Sequence, residues 1–477
     1  MDTSLVERFA RRLRRTPSAP AVLAAGAAAS VSSVDAVARR LERALAELAL
    51  PPGSLVGLAA PNGPVFLGAI LALRRRELAV LLLDPGARPG ERERLHARLG
   101  PRAILESSRA WPGESDGWFR LRELATPQPA SGLTAPTDAV VKLTSGSTGE
   151  PRGIATPETA LLADEEALAR TMGVRDGERI LGGIPWSHSY GLVSVALPVL
   201  VRDAVAVVPD PGDPLGALRA LLRHEVTFVP TVPAWLRGLL RSGSAPDLPA
   251  SLRLVVSAGA PLDAETAATF RRRHGRPVHV FYGASECGGI TYDRTGEAGE
   301  HGHLGTPVEG VALEIEALAG ERASEGLPGR VLVRSPAVAR TYLPESDPDL
   351  GGGAFRTADI GWLDGERLRL TGRLDSLINV KGKKVQPSEV EGVLLQFPGV
   401  DEAVVLGPAH GAAGIRAVVA LRPGLERPPR VDEILTFCRQ RLADFKVPRS
   451  LRIVDSLPRT ERGKLDRPAV LELATER

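Results

Sequence analysis

The sequence VVKLTSGSTGEPRG, residues 140–153, starts as an apolar strand and continues into a loop of Thr, Ser and Gly. Glycine lets a backbone wrap closely around a ligand, and successive N–H groups with neighbouring hydroxyl groups can bind phosphate oxygens. A Walker loop has a lysine directly after its second glycine, which this segment lacks. The segment therefore predicts a phosphate-binding loop of another kind, and a solvated Ser/Gly turn is the alternative. The candidate phosphate-binding residues are Thr144, Ser145, Gly146, Ser147, Thr148 and Gly149.

Outward from this loop, short apolar runs typical of strands alternate with helical stretches. Such alternation is typical of an α/β fold with parallel sheets. The chain's 477 residues exceed what one hydrophobic core usually serves, so we expect a large domain and a smaller one. The strand-like runs are 55–59, 79–83, 103–105 and 204–208, and the helical stretches are 64–76 and 214–223.

The character of the sequence changes near Gly361, where polar turns become closely spaced. The Asp-Gly pair at 364–365 is a hairpin signal. Further on we predict strands at 402–406 and 416–421 and a helix at 431–442, which together indicate a separate α+β domain. The predicted domains are residues 1–372 and 376–477, joined by a hinge at 373–375.

Composition and charge argue against several classes of protein. The formal net charge is only +3, and no stretch combines basic with aromatic residues, so we expect no nucleic-acid partner. The apolar segment 192–208 is interrupted by Arg202 and Asp203, so we expect no membrane-spanning helix. Cys287 and Cys438 give neither a disulfide framework nor a metal-ligand spacing, which fits a reducing compartment and predicts a cytoplasmic protein.

Arginine is the usual cation of this chain, because only six of its 60 Lys and Arg residues are lysines. Lysine is a compact charge on a flexible stem, whereas arginine is a planar fork. Positions that retain lysine are therefore candidates for chemistry that needs a point charge, and chance is the alternative. The lysines are Lys142, Lys381, Lys383, Lys384, Lys446 and Lys464.

Four further motifs follow the phosphate-loop motif along the chain. They are FYGASE at 281–286, FRTADIGWL at 355–363, TGRLDSLINVKGKKVQPSEVE at 371–391 and PRTERGKLDR at 458–467. Together with TSGSTGEPRG they resemble the ordered motifs of the adenylate-forming superfamily, which includes acyl-CoA and aryl-CoA synthetases, luciferases and the adenylation domains of nonribosomal synthetases. LAAPNGPVFLGAILAL near the start and GTPVEGV at 305–311 extend the resemblance over nearly the whole chain. The resemblance implies an α/β fold with a large N-terminal domain of sheets flanked by helices, a small β-rich subdomain, and a smaller mobile α+β C-terminal domain.

The same resemblance implies a site for ATP and Mg²⁺. Tyr282 matches the residue whose ring stacks on adenine, and Glu286 matches the carboxylate that holds Mg²⁺, a cation that prefers oxygen ligands. The alternatives are core packing for Tyr282 and a solvated charge for Glu286. Asp359 matches the ribose-binding carboxylate, Arg373 matches an arginine that contacts the nucleotide, and Arg152 stands where the family usually has a phosphate-binding lysine. The loop that lines the adenine site adds Gly259, Ala260 and Pro261. The rest of FYGASE, the tyrosine motif, adds Gly283, Ala284 and Ser285.

The C-terminal motifs imply the catalytic lysine and a CoA-binding loop. Lys464 matches the lysine that reaches into the active site, where a cation would neutralise charge as the carboxylate attacks the α-phosphate; an idle, exposed lysine is the alternative. Asp375 falls at the family's hinge position. Gly382, Lys383 and Lys384 resemble the loop that admits pantetheine and the phosphates of CoA, with a solvated charge run as the alternative.

IPWSHSYGL at 184–192 resembles the family's segment beside the acyl tunnel, so His188 is a candidate for gating the pocket or contacting the acid, with a packed structural histidine as the alternative. An amino-acid substrate would need a carboxylate to pair its buried ammonium, and this segment has no Asp. Trp235, Gly288 and Gly289 would line the acyl pocket, where small residues indicate space for a fatty tail or an aryl ring.

These features predict an ATP-dependent carboxylic acid:CoA ligase that acts through an acyl-adenylate, on a fatty or aryl acid. Its catalytic residues are predicted to be Lys464, Glu286, Thr144 and His188. The chain ends 13 residues after Lys464, so we expect a free-standing enzyme without a fused carrier domain. The alternatives are an acyl-AMP ligase that loads a separate carrier protein, and a nucleotide-binding regulator that has lost catalysis.

Overall fold

A computed structural model of the chain describes residues 4–113, 116–124, 135, 137–145, 151–213, 215–241, 247–318, 326–376, 378–380, 383–407, 414–459 and 465–474. The chain divides into two compact units. The larger unit comprises residues 1–314, 332–357 and 364–368, and the smaller unit comprises 315–331, 358–363 and 369–477. The mixture of helices and sheets confirms the predicted α/β class with a large and a smaller part. The single domain boundary at 373–375 and the mobility of the smaller part stay predictions.

The helices are numbered in chain order. They are α1 Leu5–Arg15, α2 Val31–Glu47, α3 Pro64–Arg75, α4 Pro89–Leu99, α5 Glu158–Met172, α6 Ser189–Gly191, α7 Leu197–Val201, α8 Gly216–Arg223, α9 Pro233–Arg241, α10 Ala264–His274, α11 Ala298–His301, α12 Pro387–Leu395, α13 Val431–Arg439 and α14 Arg467–Leu473. One π-helical turn, Leu192–Ala196, lies between α6 and α7. Within the described part of the chain, none of the helices combines the length and the apolarity needed to cross a membrane.

The strands are numbered in the same way. They are β1 Pro20–Ala24, β2 Ala27–Ser30, β3 Leu55–Ala59, β4 Ala79–Leu82, β5 Ala103–Glu106, β6 Arg120–Glu123, β7 Asp138–Ser145, β8 Pro151–Pro157, β9 Arg179–Leu181, β10 Val205–Val207, β11 Phe228–Thr231, β12 Leu254–Ser257, β13 His279–Ala284, β14 Gly288–Tyr292, β15 Thr306–Pro307, β16 Ala312–Glu316, β17 Gly329–Arg334, β18 Thr341–Leu343, β19 Leu350–Gly351, β20 Ala354–Asp364, β21 Arg367–Arg373, β22 Ile378–Val380, β23 Lys383–Val385, β24 Val400–Leu406, β25 Arg416–Leu421 and β26 Ser450–Val454.

Nine strands of the larger unit form one sheet in the order β15-β14-β13-β12-β11-β9-β10-β1-β2. From β13 to β1 each strand runs parallel to its neighbour. Parallel pairing brings the carboxyl ends of these strands to one edge of the sheet, and in open α/β sheets ligands bind outside that edge.

A second sheet of the larger unit has the order β18-β8-β7-β4-β3-β5-β6. Its strands β5, β3, β4 and β7 are parallel, whereas β7 and β8 form an antiparallel hairpin around the phosphate-loop motif. Helix α3 is buried along Pro64–Arg74, and its Gly68 lies against α2, because a Cβ there would come within 2.4 Å of Val37. Only glycine permits so close an approach of the two helices.

The smaller unit has its own core. Strands β24, β25 and β26 form a sheet in which β24 and β25 are antiparallel and β25 and β26 are parallel. Val390 of α12 and Ile434 of α13 are buried in the same apolar cluster as Val419 of β25. Strands β22 and β23 form a separate hairpin.

Candidate active site

The predicted adenine-binding residues meet at the carboxyl edge of the nine-stranded sheet. Gly259, Ala260 and Pro261 follow β12 in an exposed loop, and Gly259 has a φ of +81°, which favours glycine. Tyr282, Gly283 and Ala284 end the neighbouring parallel strand β13, and Ser285 and Glu286 follow it directly. The register pairs Val256 with His279 and Ser257 with Val280, so the loop and the tyrosine motif share one edge. Their role in binding adenine stays a prediction.

A single side chain fixes the segment that leads to His188. The Asn62 amide donates to the carbonyl oxygens of Gly182 and Ile184 at 3.0 and 2.8 Å, and its Oδ1 accepts from the Trp186 N–H at 2.9 Å. Trp186 is fully buried and packs edge-to-face on Phe66 at 5.9 Å. Asn62 lies in the PNG sequence quoted above, but the sequence alone did not reveal that it supports this segment.

The histidine segment, IPWSHSYGL at 184–192, also contacts the FYGASE motif. The hydroxyl groups of Ser189 and Ser285 are 2.7 Å apart. His188 itself is half-buried and stands at the N-terminus of α6. The structure therefore brings the predicted acyl-tunnel segment to the predicted nucleotide motif, and the catalytic role of His188 stays a prediction.

Glu286 is held by a residue that the sequence did not reveal. The Tyr342 hydroxyl donates to Glu286 Oε1 at 3.0 Å. Burial and the neighbouring Glu286 carboxylate both raise the pKa of Tyr342, so its hydroxyl remains a donor over the working pH range. Tyr342 lies on β18, where it pairs with Ile154 of β8, and no local pattern around it marks this contact.

The two strands that flank the phosphate-loop motif lie beside this pair. Thr144 pairs with Arg152, and Ser145 pairs with Pro151, across the hairpin of β7 and β8. The predictions for Gly146, Ser147, Thr148 and Gly149 fall outside the described residues.

Arg152 already has protein partners. Its guanidinium lies 3.7 Å from the centroid of the Tyr342 ring and pairs with Asp347 at 3.1 Å. A phosphate that binds Arg152 must therefore compete with Asp347, or share the guanidinium with it.

The oxygen chemistry of Glu286 fits a Mg²⁺ ion. The described residues contain no group of three or more metal-ligating side chains, so the site differs from an all-protein metal cage. Mg²⁺ commonly uses one or two carboxylates together with substrate phosphates and water. Glu286 is the carboxylate that would hold the ion, and the bond from the Tyr342 hydroxyl orients it.

In the smaller unit, three predicted residues are in contact. Arg373 donates from Nη1 to Asp359 Oδ1 at 3.0 Å, and from Nε and Nη2 to the two oxygens of Asp375 at 2.9 and 2.7 Å. Asp359 is only 8% exposed. The predicted ribose-binding carboxylate and the predicted hinge carboxylate thus share one arginine.

The predicted CoA-binding loop is described in part. The Lys383 ammonium lies 4.7 Å from the centroid of the Phe445 ring, and the Lys384 backbone pairs with Asn379 across the β22–β23 hairpin. Gly382 and the predicted catalytic Lys464 fall outside the described residues.

The glycines predicted to leave space for the acid have a different local role. A Cβ on Gly288 would come within 2.3 Å of the Asp164 carboxylate, and a Cβ on Gly289 within 2.7 Å of Leu168. Both neighbours belong to α5, so these glycines let α5 approach β14 closely instead of opening a pocket on that side. Trp235 is half-buried and packs against the apolar cluster that contains Leu236. Asp164 was not singled out from the sequence.

Comparisons with known proteins identify the family to which the chain belongs. A family model described as AMP-binding enzyme matches residues 9–343, and one described as AMP-binding enzyme C-terminal domain matches residues 389–464. A feruloyl-CoA synthase from Amycolatopsis sp is 30% identical over 490 residues, which cover 95% of this chain and 96% of the relative.

Two solved structures share the fold. The o-succinylbenzoate coenzyme A synthetase from Bacillus subtilis, in complex with ATP and magnesium ion, has a TM-score of 0.81 at 24% identity and covers 97% of this chain and 98% of that one. An amide bond synthetase from Marinactinospora thermotolerans has a TM-score of 0.80 at 26% identity and covers 98% of this chain and all of that one, 100%. Since the first family model spans well over half of the chain, and the feruloyl-CoA synthase aligns along nearly all of it, the chain belongs to the AMP-binding enzyme family, as its resemblance to adenylate-forming enzymes implied.

Proposed function

We propose that this chain is an ATP-dependent carboxylic acid:CoA ligase that works through an acyl-adenylate. In the first half-reaction the carboxylate of the acid attacks the α-phosphorus of ATP, and pyrophosphate leaves. In the second, the thiol of CoA attacks the acyl carbonyl carbon, a thioester forms and AMP leaves. The substrates are a carboxylic acid, ATP and CoA, and Mg²⁺ is the metal.

The contact between Glu286 and Tyr342 carries this proposal. It joins the end of the tyrosine motif to β18, the strand beside the phosphate-loop hairpin, at 3.0 Å. The arrangement supports a carboxylate-held Mg²⁺ next to hydroxyl and backbone groups suited to phosphate oxygens. When bound there, Mg²⁺ would neutralise charge on the phosphates.

We assign the remaining roles from the matching motifs. Thr144 and the loop 145–149 bind phosphates with Arg152, and Tyr282 stacks on adenine with Gly259–Pro261 and Gly283–Ser285 around it. Asp359 and Arg373 bind the ribose and the nucleotide, Lys464 catalyses adenylation, and Gly382–Lys384 receive CoA. The adenylation domain is residues 1–372 and the C-terminal domain is 376–477, with the hinge at 373–375.

The acid is fatty or aryl, and His188 borders it. The segment around His188 offers no carboxylate to pair a substrate ammonium, so an amino acid is disfavoured. The enzyme works in the cytoplasm, and its two cysteines, which are free and buried, are consistent with a reducing compartment.

The proposal is tested by measuring AMP formation from ATP and Mg²⁺ with a panel of fatty and aryl acids, each with and without CoA. We expect turnover that requires both an acid and CoA. If pyrophosphate is released only once per enzyme molecule in the presence of CoA, and turnover begins when a phosphopantetheinylated carrier protein is supplied, the chain is a carrier-loading ligase. An amine that replaces CoA as acceptor would likewise contradict the CoA assignment. Tight ATP binding without acid-dependent pyrophosphate release would indicate that the chain is a nucleotide-binding regulator that has lost catalysis.

A further inference from the structure

Glu286 is held at two points by one short segment of the chain, residues 339–342. The Ala339 N–H donates to the Glu286 backbone carbonyl at 2.8 Å, and the Tyr342 hydroxyl donates to Glu286 Oε1 at 3.0 Å. The position of this segment therefore sets both the backbone and the carboxylate of the proposed Mg²⁺ ligand. A shift of the segment would move both contacts together.

The backbone pairing of this segment is short. β18 has three residues and lies at the edge of its sheet, with β8 as its neighbour. Thr341, Tyr342 and Leu343 pair with β8, and the Arg340 N–H donates to the Ala155 carbonyl at 2.8 Å. Because a ladder of this length contributes few hydrogen bonds, a side-chain contact that holds the segment has more weight here than in a long strand.

The Arg340 side chain makes such a contact. It reaches across β8 to Asp138 at the start of β7, where its Nη2 and Nε atoms donate to the two carboxylate oxygens at 2.6 and 3.1 Å. Two parallel bonds between a guanidinium and a carboxylate fix orientation as well as distance. The pair thus joins the outer two of the three neighbouring strands β18, β8 and β7.

Asp138 is itself fixed by several further bonds. It is fully buried, and its Oδ2 atom also accepts the Ala135 N–H at 2.8 Å. Its backbone carbonyl accepts from Nη1 of Arg74 on α3, and that guanidinium also pairs with Glu158 of α5 at 2.9 Å. The carboxylate that holds Arg340 is therefore connected to two helices of the larger unit.

A buried ion pair is weak evidence for stability, because apolar replacement of both partners is often neutral, but its geometry can specify one arrangement of the elements it joins. We propose that Arg340 and Asp138 are positioning residues: their pair fixes segment 339–342 on the sheet, and the segment fixes the backbone and the carboxylate of Glu286 for Mg²⁺. This inference rests on the proposed function, because it takes Glu286 to be the residue that holds Mg²⁺ with ATP.

The first readout needs neither a ligand nor activity. The chain has four tyrosines, so ¹³C labelling of the ring carbon that carries the hydroxyl group gives four signals in an NMR spectrum. The signal that is missing in Tyr342→Phe belongs to Tyr342. In Arg340→Met and in Asp138→Asn we expect this signal to shift, because the bond to Glu286 is displaced, while the other three signals stay close to the wild type.

The second readout is the ratio of the ATP dissociation constants without and with Mg²⁺, measured by titration calorimetry on the full chain. Arg340→Met and Asp138→Asn should each lower this ratio about fivefold, since displacing the bond to Glu286 forfeits only part of what a hydrogen bond to a charged group contributes. ATP affinity without Mg²⁺ should stay near the wild-type value. The double variant should lose no more than either single variant, because two residues that act as one unit are not additive.

Two further variants separate positioning from stability. Arg340→Lys keeps the cation but not the two-bond fork, so it should fold and lie between the wild type and Arg340→Met in both readouts; it carries the test if Arg340→Met does not fold. Arg253→Met is the matched control, because Arg253 pairs with Glu178 at 2.8 Å and the side-chain exposures of that pair, 28% and 2%, resemble the 36% and 0% of Arg340 and Asp138. It should lose stability and keep both wild-type readouts.

An unmoved Tyr342 signal or a wild-type Mg²⁺ ratio in the Arg340 and Asp138 variants would overturn the inference, and so would equal changes in Arg253→Met. Failure of the proposed function gives a different result. In that case the wild type itself binds ATP without a Mg²⁺ effect, or releases no pyrophosphate with any acid of the panel, although the Tyr342 signal still responds to Arg340→Met.

Discussion

The hydroxyl group of Tyr342 donates a 3.0 Å hydrogen bond to Glu286, and the same tyrosine ring lies under the Arg152 guanidinium. One side chain thus contacts both the proposed Mg²⁺ ligand and the cation beside the phosphate-loop hairpin. Its position on β18 makes it part of a rigid sheet, which is a better support for a reactive group than a loop.

Tyr342→Phe tests this contact. A hydrogen bond to a charged group is worth about 1.5–3 kcal/mol, so kcat/KM for adenylation should fall roughly tenfold or more. The ring remains to stack on Arg152, so the variant should still fold, with a melting temperature lower by a few degrees at most. The measurement is acid-dependent pyrophosphate release. Tyr292→Phe is the control, because Tyr292 is a buried tyrosine that stacks on His279 at 5.6 Å. Wild-type kinetics in Tyr342→Phe would remove Tyr342 from the site.

Lys464→Ala separates the two half-reactions. Adenylation should fall by about 10²-fold or more, because a preorganised cation at the reacting phosphate is lost. Thioester formation from supplied acyl-AMP and CoA should remain close to that of the wild type. Lys446→Ala is the control, since Lys446 pairs with Glu389 at 2.6 Å and should not affect adenylation. Equal loss of both half-reactions in Lys464→Ala would exclude the assigned role.

Asn62→Ala tests the support of the histidine segment. The variant removes the side chain that bonds the carbonyl groups of Gly182 and Ile184 and the backbone N–H of Trp186. Each such group costs about 1–3 kcal/mol when it is buried without a partner. We expect a lower melting temperature and faster proteolysis within 182–191. Asn62→Asp is the comparison, because it keeps the oxygen that accepts from Trp186 but replaces the donor by a carboxylate oxygen that faces the carbonyl groups of Gly182 and Ile184. Unchanged proteolysis in both variants would mean that Trp186 alone anchors the segment.

Acid should destabilise the larger unit from near neutral pH downward. Burial, followed by neighbouring arginines, lowers the pKa of His96, His224 and His274 in the folded chain. Below about pH 6.5 the unfolded chain therefore binds more protons at these positions than the folded chain does, and stability falls as pH falls.

The check is the melting temperature of the wild type and of His96→Gln between pH 7.5 and 5.5, a range chosen to span the ordinary histidine pKa. The decline should be shallower in His96→Gln. The exposed His301 provides the control variant, His301→Gln, whose decline should match the wild type. Identical declines in all three proteins would show that His96 does not contribute to the acid sensitivity.

Much of the fold could be predicted because local patterns determine it. The helix expected at 64–76 is α3, Pro64–Arg75, and the strand expected at 79–83 is β4, Ala79–Leu82. The helix expected at 431–442 ends earlier, at Arg439. Strand and helix periods are local properties of a sequence, whereas the last turn of a helix depends on what packs against it.

The contacts that complete the site could not be predicted in the same way. Tyr342 is separated from Glu286 by 56 positions, and nothing in its own sequence neighbourhood indicates the bond. Gly288 and Gly289 suggested open space, but a glycine serves equally where a neighbouring helix comes close, and only the position of α5 decides between the two. Asp164 was not indicated by the sequence either, and its bond to the Gly289 N–H became evident only from the fold.

Arg373 divides its donors between Asp359 and Asp375. A ligand hydroxyl group that bonds Asp359, as predicted for ribose, would share that carboxylate with Arg373, and so would change how firmly Asp375 holds the arginine. If the ligand predicted for Asp359 weakens the Arg373–Asp375 pair by some factor, thermodynamic reciprocity requires that breaking that pair change the affinity for the ligand by the same factor. Binding of that ligand at Asp359 and pairing of Arg373 with Asp375 would then be linked equilibria, joined by a single guanidinium.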